Sequence, residues 1–432
     1  MIRAGGASQA RAPPARMLHP TSSRHAPRLT FFSVDRTMRV DRTVPYEGGA
    51  AMLLLHLSDL HLGKRLNEVS LIDDQRYILS QILSVFDAEQ PDAVLIAGDV
   101  YDKPIPSAEA VGLFDDFLTA LAARRKPILL ISGNHDSAER LAFGGRLLAA
   151  SNVYLSPAFD TEHAHVASVR LADEYGPVAV WPLPFLKPAH VRAALPDAPA
   201  DTYTQALASA IAAMPISPEE RNVLIAHQFV TGSLRSESEE VSVGGLDNVD
   251  ISAFDPFDYV ALGHLHRAQA AGRDTARYCG SPLAYSFSEA KDEKSVTLVE
   301  LGSKGSVHVR TMPLTPFRAL RELRGAYAEL TLRANYADTA TDDYLHITLT
   351  DEDDVPDALA KLQVIYPNLL KLDYDNARTR RDPSREISDT SEQRPPLDLL
   401  DDFYKRQNNR PLSDEQRAYA LAAMDRIWEG RA

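Results

Sequence analysis

From Met52 onward, short apolar runs at residues 52–58, 92–97, 126–132, 223–227 and 259–263 alternate with stretches of helical period, such as Ile78, Ile82 and Phe86. The runs predict buried strands and the periodic stretches predict amphipathic helices, so residues 52–300 are expected to form an α/β domain. After Glu300 come the segments "YLHITLT" and "DALAKLQVIYP", which predict a smaller α+β domain over residues 301–376. Residues 377–396 are almost free of aliphatic side chains and read as a linker. In 397–432, Leu397, Leu400, Phe403 and Tyr404 fall at helical spacing, and Ser413 with Gln416 forms a capping-box signature for a last helix.

Residues 1–51 carry eight Arg and no Lys, with Asp35, Asp41 and Glu47 as the acids, and show no apolar period. They are expected to be a disordered extension. An organelle transit peptide would be Arg-rich and acid-poor too, but the Ser-rich amphipathic pattern is missing, and an upstream extension or misassigned start before Met52 is the preferred reading.

Composition narrows the chemistry. The 432 residues predict two or three units, and 44% hydrophobic with 25% charged residues is ordinary for a globular chain. No apolar run is long enough to span a bilayer. One cysteine, Cys279, rules out an internal disulfide framework and a multi-thiolate zinc site, and fits a reducing, cytoplasmic setting. A net charge of -14 opposes general adhesion to a polyanion, so any nucleic-acid role requires local basic patches, bound cations or a partner.

The polar residues at the strand ends change the picture most. The five runs end in "SDLHLGK" (Asp59, His61), "AGDVYDK" (Asp99, Asp102), "GNHD" (Asn134, His135), "AHQ" (His227) and "GHLH" (His264, His266). Ligands of open α/β sheets bind outside the carboxyl ends of strands, so these side chains are expected to converge. Asp-x-His and His-x-His put two donors on one face of an extended backbone. Imidazoles, carboxylates and one amide oxygen together suit manganese, iron or zinc. Seven such groups, Asp59, His61, Asp99, Asn134, His227, His264 and His266, are too many for one ion with an open position. Two ions about 3.5–4 Å apart sharing a carboxylate would use them, an arrangement suited to in-line displacement at phosphorus. His135 then remains as a general-acid candidate.

Taken singly, each signal has a plainer explanation. Asp59 and His61 could mark a surface turn, His227 a satisfied core histidine, Asp99 a turn residue after Gly98, and His264 with His266 a half-buried strand pair. Asp102 could cap a loop or orient a catalytic group. Lys64 and Arg65 are candidate contacts to a phosphate backbone or simply a solvated basic pair. Glu237, Glu239 and Glu240 are expected to form a solvated loop face, and Cys279 to be a partly buried structural thiol. The reading rests on their coincidence at strand ends.

Together, "DLH", "GDVYD", "GNHD", the lone His of "AHQ" and "GHLH" resemble the calcineurin-like metallophosphoesterases. "RSESEE", "YVALGHLHRAQ" and "YCGSPLAYSFSE", with Gly280, Ser281 and Pro282, resemble the branch of bacterial nuclease subunits that partner an SMC-like ATPase. The resemblance implies a β-sandwich flanked by helices, with the smaller unit as a capping domain that helps to position DNA. It implies one metal on Asp59, His61, Asp99 and His266, and a second on Asp99, Asn134, His227 and His264, with Asp99 bridging. His135 matches the residue that protonates the leaving group. The metals would be manganese. The activity would be 3′–5′ degradation of duplex ends with cleavage of single strands and hairpins, in DNA end processing beside the nucleoid. Residues 397–432 would dock on the ATPase, in a heterotetramer built around a homodimer. A phosphoprotein phosphatase, a small-molecule phosphodiesterase or a non-catalytic scaffold for the ATPase are the alternatives.

Overall fold

The computed structural model describes residues 51–376, apart from 157, 162–163, 165 and 240–246, and residues 397, 400–401, 404–405 and 411–429 of the C-terminal segment. The expected N-terminal extension, but for Ala51, and the linker at 377–396 lie outside the described residues.

The predicted runs are strands. β1 (Met52–Leu57), β2 (Ala93–Ala97), β3 (Ile128–Ile131) and β4 (Val153–Ser156) pair in parallel in that order. A second sheet contains β5 (Val169–Asp173), β6 (Gly176–Pro182), β7 (Arg221–His227), β8 (Tyr259–Gly263), β9 (Gln269–Ala271) and β10 (Arg273–Tyr278), with β6, β7, β8 and β10 parallel. The chain then returns to the first sheet through β11 (Ser295–Leu301) and β12 (Val307–Pro313), antiparallel on the free edge of β1. β12 therefore extends this sheet to Pro313, beyond the boundary expected at residue 300, because its hydrogen-bond partners are those of β11.

Burial on both faces explains why these strands read as continuous apolar runs rather than alternating ones. Leu55, Leu57, Val94 and Ile96 face outward beneath α1 (Ile72–Glu89) and α2 (Ala108–Ala122), where Ile82, Phe86, Phe114 and Phe117 cover them. Their neighbours Leu54, Leu95 and Ile131 turn the other way and meet Val180, Ile225 and Ala261 of the second sheet. The outer face of that sheet, with Trp181, Leu224 and Leu262, is covered by Leu207 and Ile211 of α3 (Tyr203–Ala212). Two packed sheets between helical layers place the carboxyl ends of β1, β2, β3, β7 and β8 around one crevice, and Gly263 at the end of β8 stands directly opposite His227.

The segments expected as a small α+β unit form a three-stranded sheet, β13 (Leu320–Gly325), β14 (Tyr344–Leu349) and β15 (Leu369–Tyr374), that is parallel throughout. Its crossovers carry the helices, including α4 (Ala358–Gln363), whose Leu362 packs on Leu345, Ile347 and Leu369. This unit is tied to α1 through Asp74, which accepts from Tyr344 Oη at 2.8 Å and from Arg318 Nη1 at 3.0 Å. In the C-terminal segment, α5 (Asp414–Glu429) opens with the predicted capping box: Gln416 N donates to Ser413 Oγ at 3.2 Å, and Ser413 N donates to Gln416 Oε1 at 3.0 Å. Among the described residues no helix is long and apolar enough to cross a membrane.

Two smaller expectations change. Cys279 is fully rather than partly buried, and burial pushes its thiol up to about 11. Glu239 is not on a solvated face; it is buried against the backbone of His266.

Candidate metal centre

The five strand ends meet. Asp59 and His61 follow β1, Asp99 follows β2, Asn134 and His135 follow β3, His227 ends β7, and His264 and His266 follow β8. Except for half-buried Asn134 and His135, all of these residues are buried. His227 Nε2 and His264 Nδ1 each lie 3.0 Å from Asn134 Oδ1, and His227 Nε2 lies 3.3 Å from Asp99 Oδ2. On the other side, His61 Nε2 and His266 Nε2 are 3.0 Å apart, and His61 Nε2 is 3.6 Å from Asp99 Oδ2. Potential ligand atoms of Asp59, His61 and His266, of Asp59, Asp99 and His227, and of His61, Asp99 and His135 fall within 4.8 Å of one another in each group.

Holding so many polar groups together distorts the backbone. Asp59, His61 and Asp99 adopt left-handed φ values of 52°, 44° and 48°, and His264 reaches 104°. Such conformations are costly for residues with a Cβ and persist where the surroundings over-determine them. Two glycines make the approach possible. A Cβ on Gly133 would lie 2.1 Å from Asp99 Oδ1, and one on Gly263 would lie 2.0 Å from the Ala97 carbonyl oxygen.

Hydrogen bonds aim the side chains. His227 Nδ1 donates to the Ala97 carbonyl at 2.8 Å, turning Nε2 into the site. Asp59 accepts the His264 backbone N–H at 3.0 Å, and Asp99 Oδ1 accepts that of His135 at 2.9 Å. Asp136, the last residue of "GNHD", accepts from the amides of Val100, Tyr101 and Gly133 at 3.0–3.1 Å and so ties the end of β3 to that of β2. Burial and the neighbouring Asp99 charge push its carboxyl up to about 6.

The electrostatics call for positive charge. Burial raises Asp59 to about 6, although His227 and His266 oppose it. Burial would raise Asp99 too, but the adjacent imidazoles, His227 first, hold it well below the ordinary carboxylate range. Burial alone would lower His227; Asp99 and Asp59 reverse that and hold it at about 9. Burial depresses His61, and it depresses His264 to about 3. The fit to divalent cations is visible in the donor set itself. Held at about 9, the metal-free His227 ring keeps both protons, giving Nδ1–H to Ala97 and Nε2–H toward Asn134 Oδ1 and Asp99 Oδ2, where a divalent cation would take the place of the Nε2 proton; His61 Nδ1 is buried without a hydrogen-bond partner, and its Nε2 faces another imidazole nitrogen. A buried ring nitrogen without a partner is the opposite of what buried polar groups normally show. Hard and borderline divalent ions match these nitrogen and oxygen donors.

The remaining candidates are also placed. His135 Nδ1 is 3.0 Å from the Asp102 carbonyl oxygen, and its ring meets that of His61 edge-on at 4.8 Å. The Asp102 carboxylate pairs with Lys64 Nζ at 2.8 Å and stands 3.8 Å from His61 Nδ1. Arg65 is exposed and hydrogen-bonds back to the Glu68 carbonyl. Sequence reasoning missed Ser238, Glu289 and Lys294, which surround His266; the serine- and glutamate-rich runs that contain the first two are the available signal, and nothing in their spacing assigns a role.

Comparison with known proteins gives the family. The family model described as calcineurin-like phosphoesterase matches residues 52–268. A second, described as type 5 capsule protein repressor C-terminal domain, matches residues 316–408. The chain is similar to SbcD, the D component of the nuclease SbcCD, of Staphylococcus epidermidis, with 33% identity over 84% of this chain and 96% of that protein. It is also similar to the protein of the same name from Staphylococcus saprophyticus, with 34% identity over 74% and 84% respectively. Among solved structures, a dimetal phosphatase from Danio rerio aligns with 62% of this chain and 99% of its own, at 12% identity and a TM-score of 0.39.

Proposed function

The chain belongs to the SbcD family of calcineurin-like phosphoesterases, and from that premise we propose that it hydrolyses DNA phosphodiester bonds at a binuclear manganese centre. One ion would be held by Asp59, His61, Asp99 and His266, and the other by Asp99, Asn134, His227 and His264. The observation that carries the reading is the meeting of these groups from five strand ends, with His61 on His266 at 3.0 Å and both His227 and His264 on Asn134 at 3.0 Å. When bound, the ions supply positive charge for the phosphoryl oxygens and make an attacking water more acidic.

The chain's own groups do the rest. Asp99 and Asp59 hold the charge of the site in a buried environment where electrostatic interactions are strong. Hydroxide attacks phosphorus, the bond to the leaving sugar oxygen breaks, and that oxygen takes a proton from His135 Nε2. The Asp102 carbonyl accepts His135 Nδ1–H, which leaves Nε2 as the nitrogen that would exchange the proton. Lys64, with its charge shared with Asp102, and exposed Arg65 lie beside the first strand end, where a DNA backbone would pass.

The partner is an SbcC-type SMC-like ATPase, docked on the segment 397–432. Tyr419 and Leu421 of α5, 73% and 48% exposed, provide apolar surface for it. A second copy of the chain would cover Phe143 and Leu147, which are 89% and 81% exposed on the segment following His135. The 320–374 unit would position the duplex.

The deciding experiment incubates the purified protein, with and without the ATPase, with labelled duplex, hairpin and single-stranded DNA across several divalent ions. Manganese-dependent cleavage from 3′ ends and at hairpins, abolished by Asp99→Asn, is expected. Efficient phosphomonoester turnover with no DNA cleavage would replace this reading with a phosphatase. Full ATPase binding after removal of 397–432 would refute the docking assignment.

A further inference from the structure

We propose that Ser238 and Glu289 are positioning residues that fix the ring of His266 for metal binding through a side-chain relay, so that one of the two metal sites depends on them and the other does not. The inference rests on the reading of His266 as a ligand.

Ser238 Oγ lies 2.7 Å from His266 Nδ1 and also hydrogen-bonds to Glu289 Oε1, which is itself 3.4 Å from Nδ1. Glu289 is fully buried at the end of the turn Phe287–Glu289. Its carboxylate can only accept, so it draws both the Ser238 hydroxyl and His266 Nδ1–H toward it; Nδ1 carries a proton whether the serine oxygen, whose other neighbour is Ser236 Oγ at 2.9 Å, or the carboxylate receives it. That fixes the tautomer: Nε2 keeps its lone pair and faces His61 Nε2 at 3.0 Å.

The main chain of His266 is held just as closely. Its N–H donates to Glu239 Oε1 at 2.6 Å, and its carbonyl accepts from Lys294 Nζ at 2.9 Å and from the Ser281 N–H at 3.1 Å. Lys294 also donates to Glu289 Oε2 at 2.6 Å and to Ser281 Oγ at 3.0 Å, closing the cage. A buried ion pair of this kind is a weak source of stability compared with apolar packing. Orientation of one imidazole accounts for its placement. The groups come from the two segments, "RSESEE" and "GSPLAYSFSE" with the lysine that follows, for which the strand-end pattern offers no use.

His227 presents the contrast. Its Nδ1–H is held by the main-chain carbonyl of Ala97, which no side-chain substitution removes. The two sites should therefore respond differently to loss of Ser238 or Glu289.

The test is manganese binding by calorimetry, with electron paramagnetic resonance to follow the coupled pair, on the full chain. For the wild type a two-site isotherm is expected. Ser238→Ala and Glu289→Gln should weaken one site by about 10- to 100-fold and leave the other unchanged, the weakened site being the one lost in His266→Ala. Ser238→Thr, which keeps the hydroxyl, should restore wild-type binding. If Glu289→Gln fails to fold, because Lys294 loses its partner, Ser238→Ala carries the test alone. Wild-type affinity at both sites in Ser238→Ala, or weakening of the site that His266→Ala spares, overturns the proposal and leaves the binuclear reading standing. A wild-type chain that binds fewer than two ions overturns that reading itself.

Discussion

His61 Nε2 and His266 Nε2 stand 3.0 Å apart, although 205 positions separate the two residues in the chain. Two buried imidazole nitrogens at this distance can share at most one proton between them, and a cation that accepts both lone pairs removes the conflict. Metal should therefore stabilise the fold. At a free manganese concentration one hundred times the dissociation constant, each site should add about 2.7 kcal/mol. Calorimetric scans with and without chelator should show a higher unfolding temperature in the metal-loaded protein, and Asp99→Asn should remove most of the difference. Coincident scans for the wild type would contradict the metal-centre assignment.

His135 tests the proton-transfer step separately from metal binding. His135→Ala should lower kcat on DNA by about 10²- to 10⁴-fold while leaving a manganese isotherm with two sites. On an aryl phosphodiester, whose leaving oxygen needs no proton, the same variant should lose far less. Equal losses on both substrates would show that His135 acts through the metals instead of on the leaving group.

Gly133 separates two strands that converge on Asp99. An added Cβ would fall 2.1 Å from Asp99 Oδ1 and 2.5 Å from its backbone nitrogen, and a main-chain atom cannot yield as a flexible side chain can. Gly133→Ala should cost about 1–3 kcal/mol of stability through overpacking and weaken manganese binding at both sites, since Asp99 would serve both. Unchanged manganese affinity would show that Asp99 has room to move.

His56 should make the protein acid-sensitive. It lies buried between the sheets with Nδ1 3.0 Å from Tyr259 Oη, and burial, reinforced by Arg277, lowers it to about 3. The folded ring stays neutral below its ordinary value of 6.5, whereas the unfolded chain takes up a proton. The contribution to stability is thus complete above pH 6.5 and is lost as pH falls toward 3, by up to about 1.4 kcal/mol per pH unit. His56→Gln can still bond Tyr259 but does not titrate. In chelator, urea midpoints measured from pH 7.5 to 4.5 should fall less steeply for this variant. Parallel pH profiles would exclude His56 as a source of the sensitivity.

The order of residues alone determined the strands, the polar groups at their ends and the capping box of the last helix. Each of these depends on neighbours a few positions away: the apolar run of a strand buried on both faces, or Ser413 reaching Gln416. The same locality explains the errors. Glu239 looks solvated beside Glu237 and Glu240, and only packing against His266 buries it; β12 looks like the start of a new unit until it pairs with β11. Tertiary structure alone decided which imidazoles face each other, that the Ala97 carbonyl takes the His227 Nδ1–H, and that Ser238, Glu289 and Lys294 gather around His266. These facts depend on distances between parts of the chain that periodicity cannot relate, and they are settled when two sheets close on a shared core.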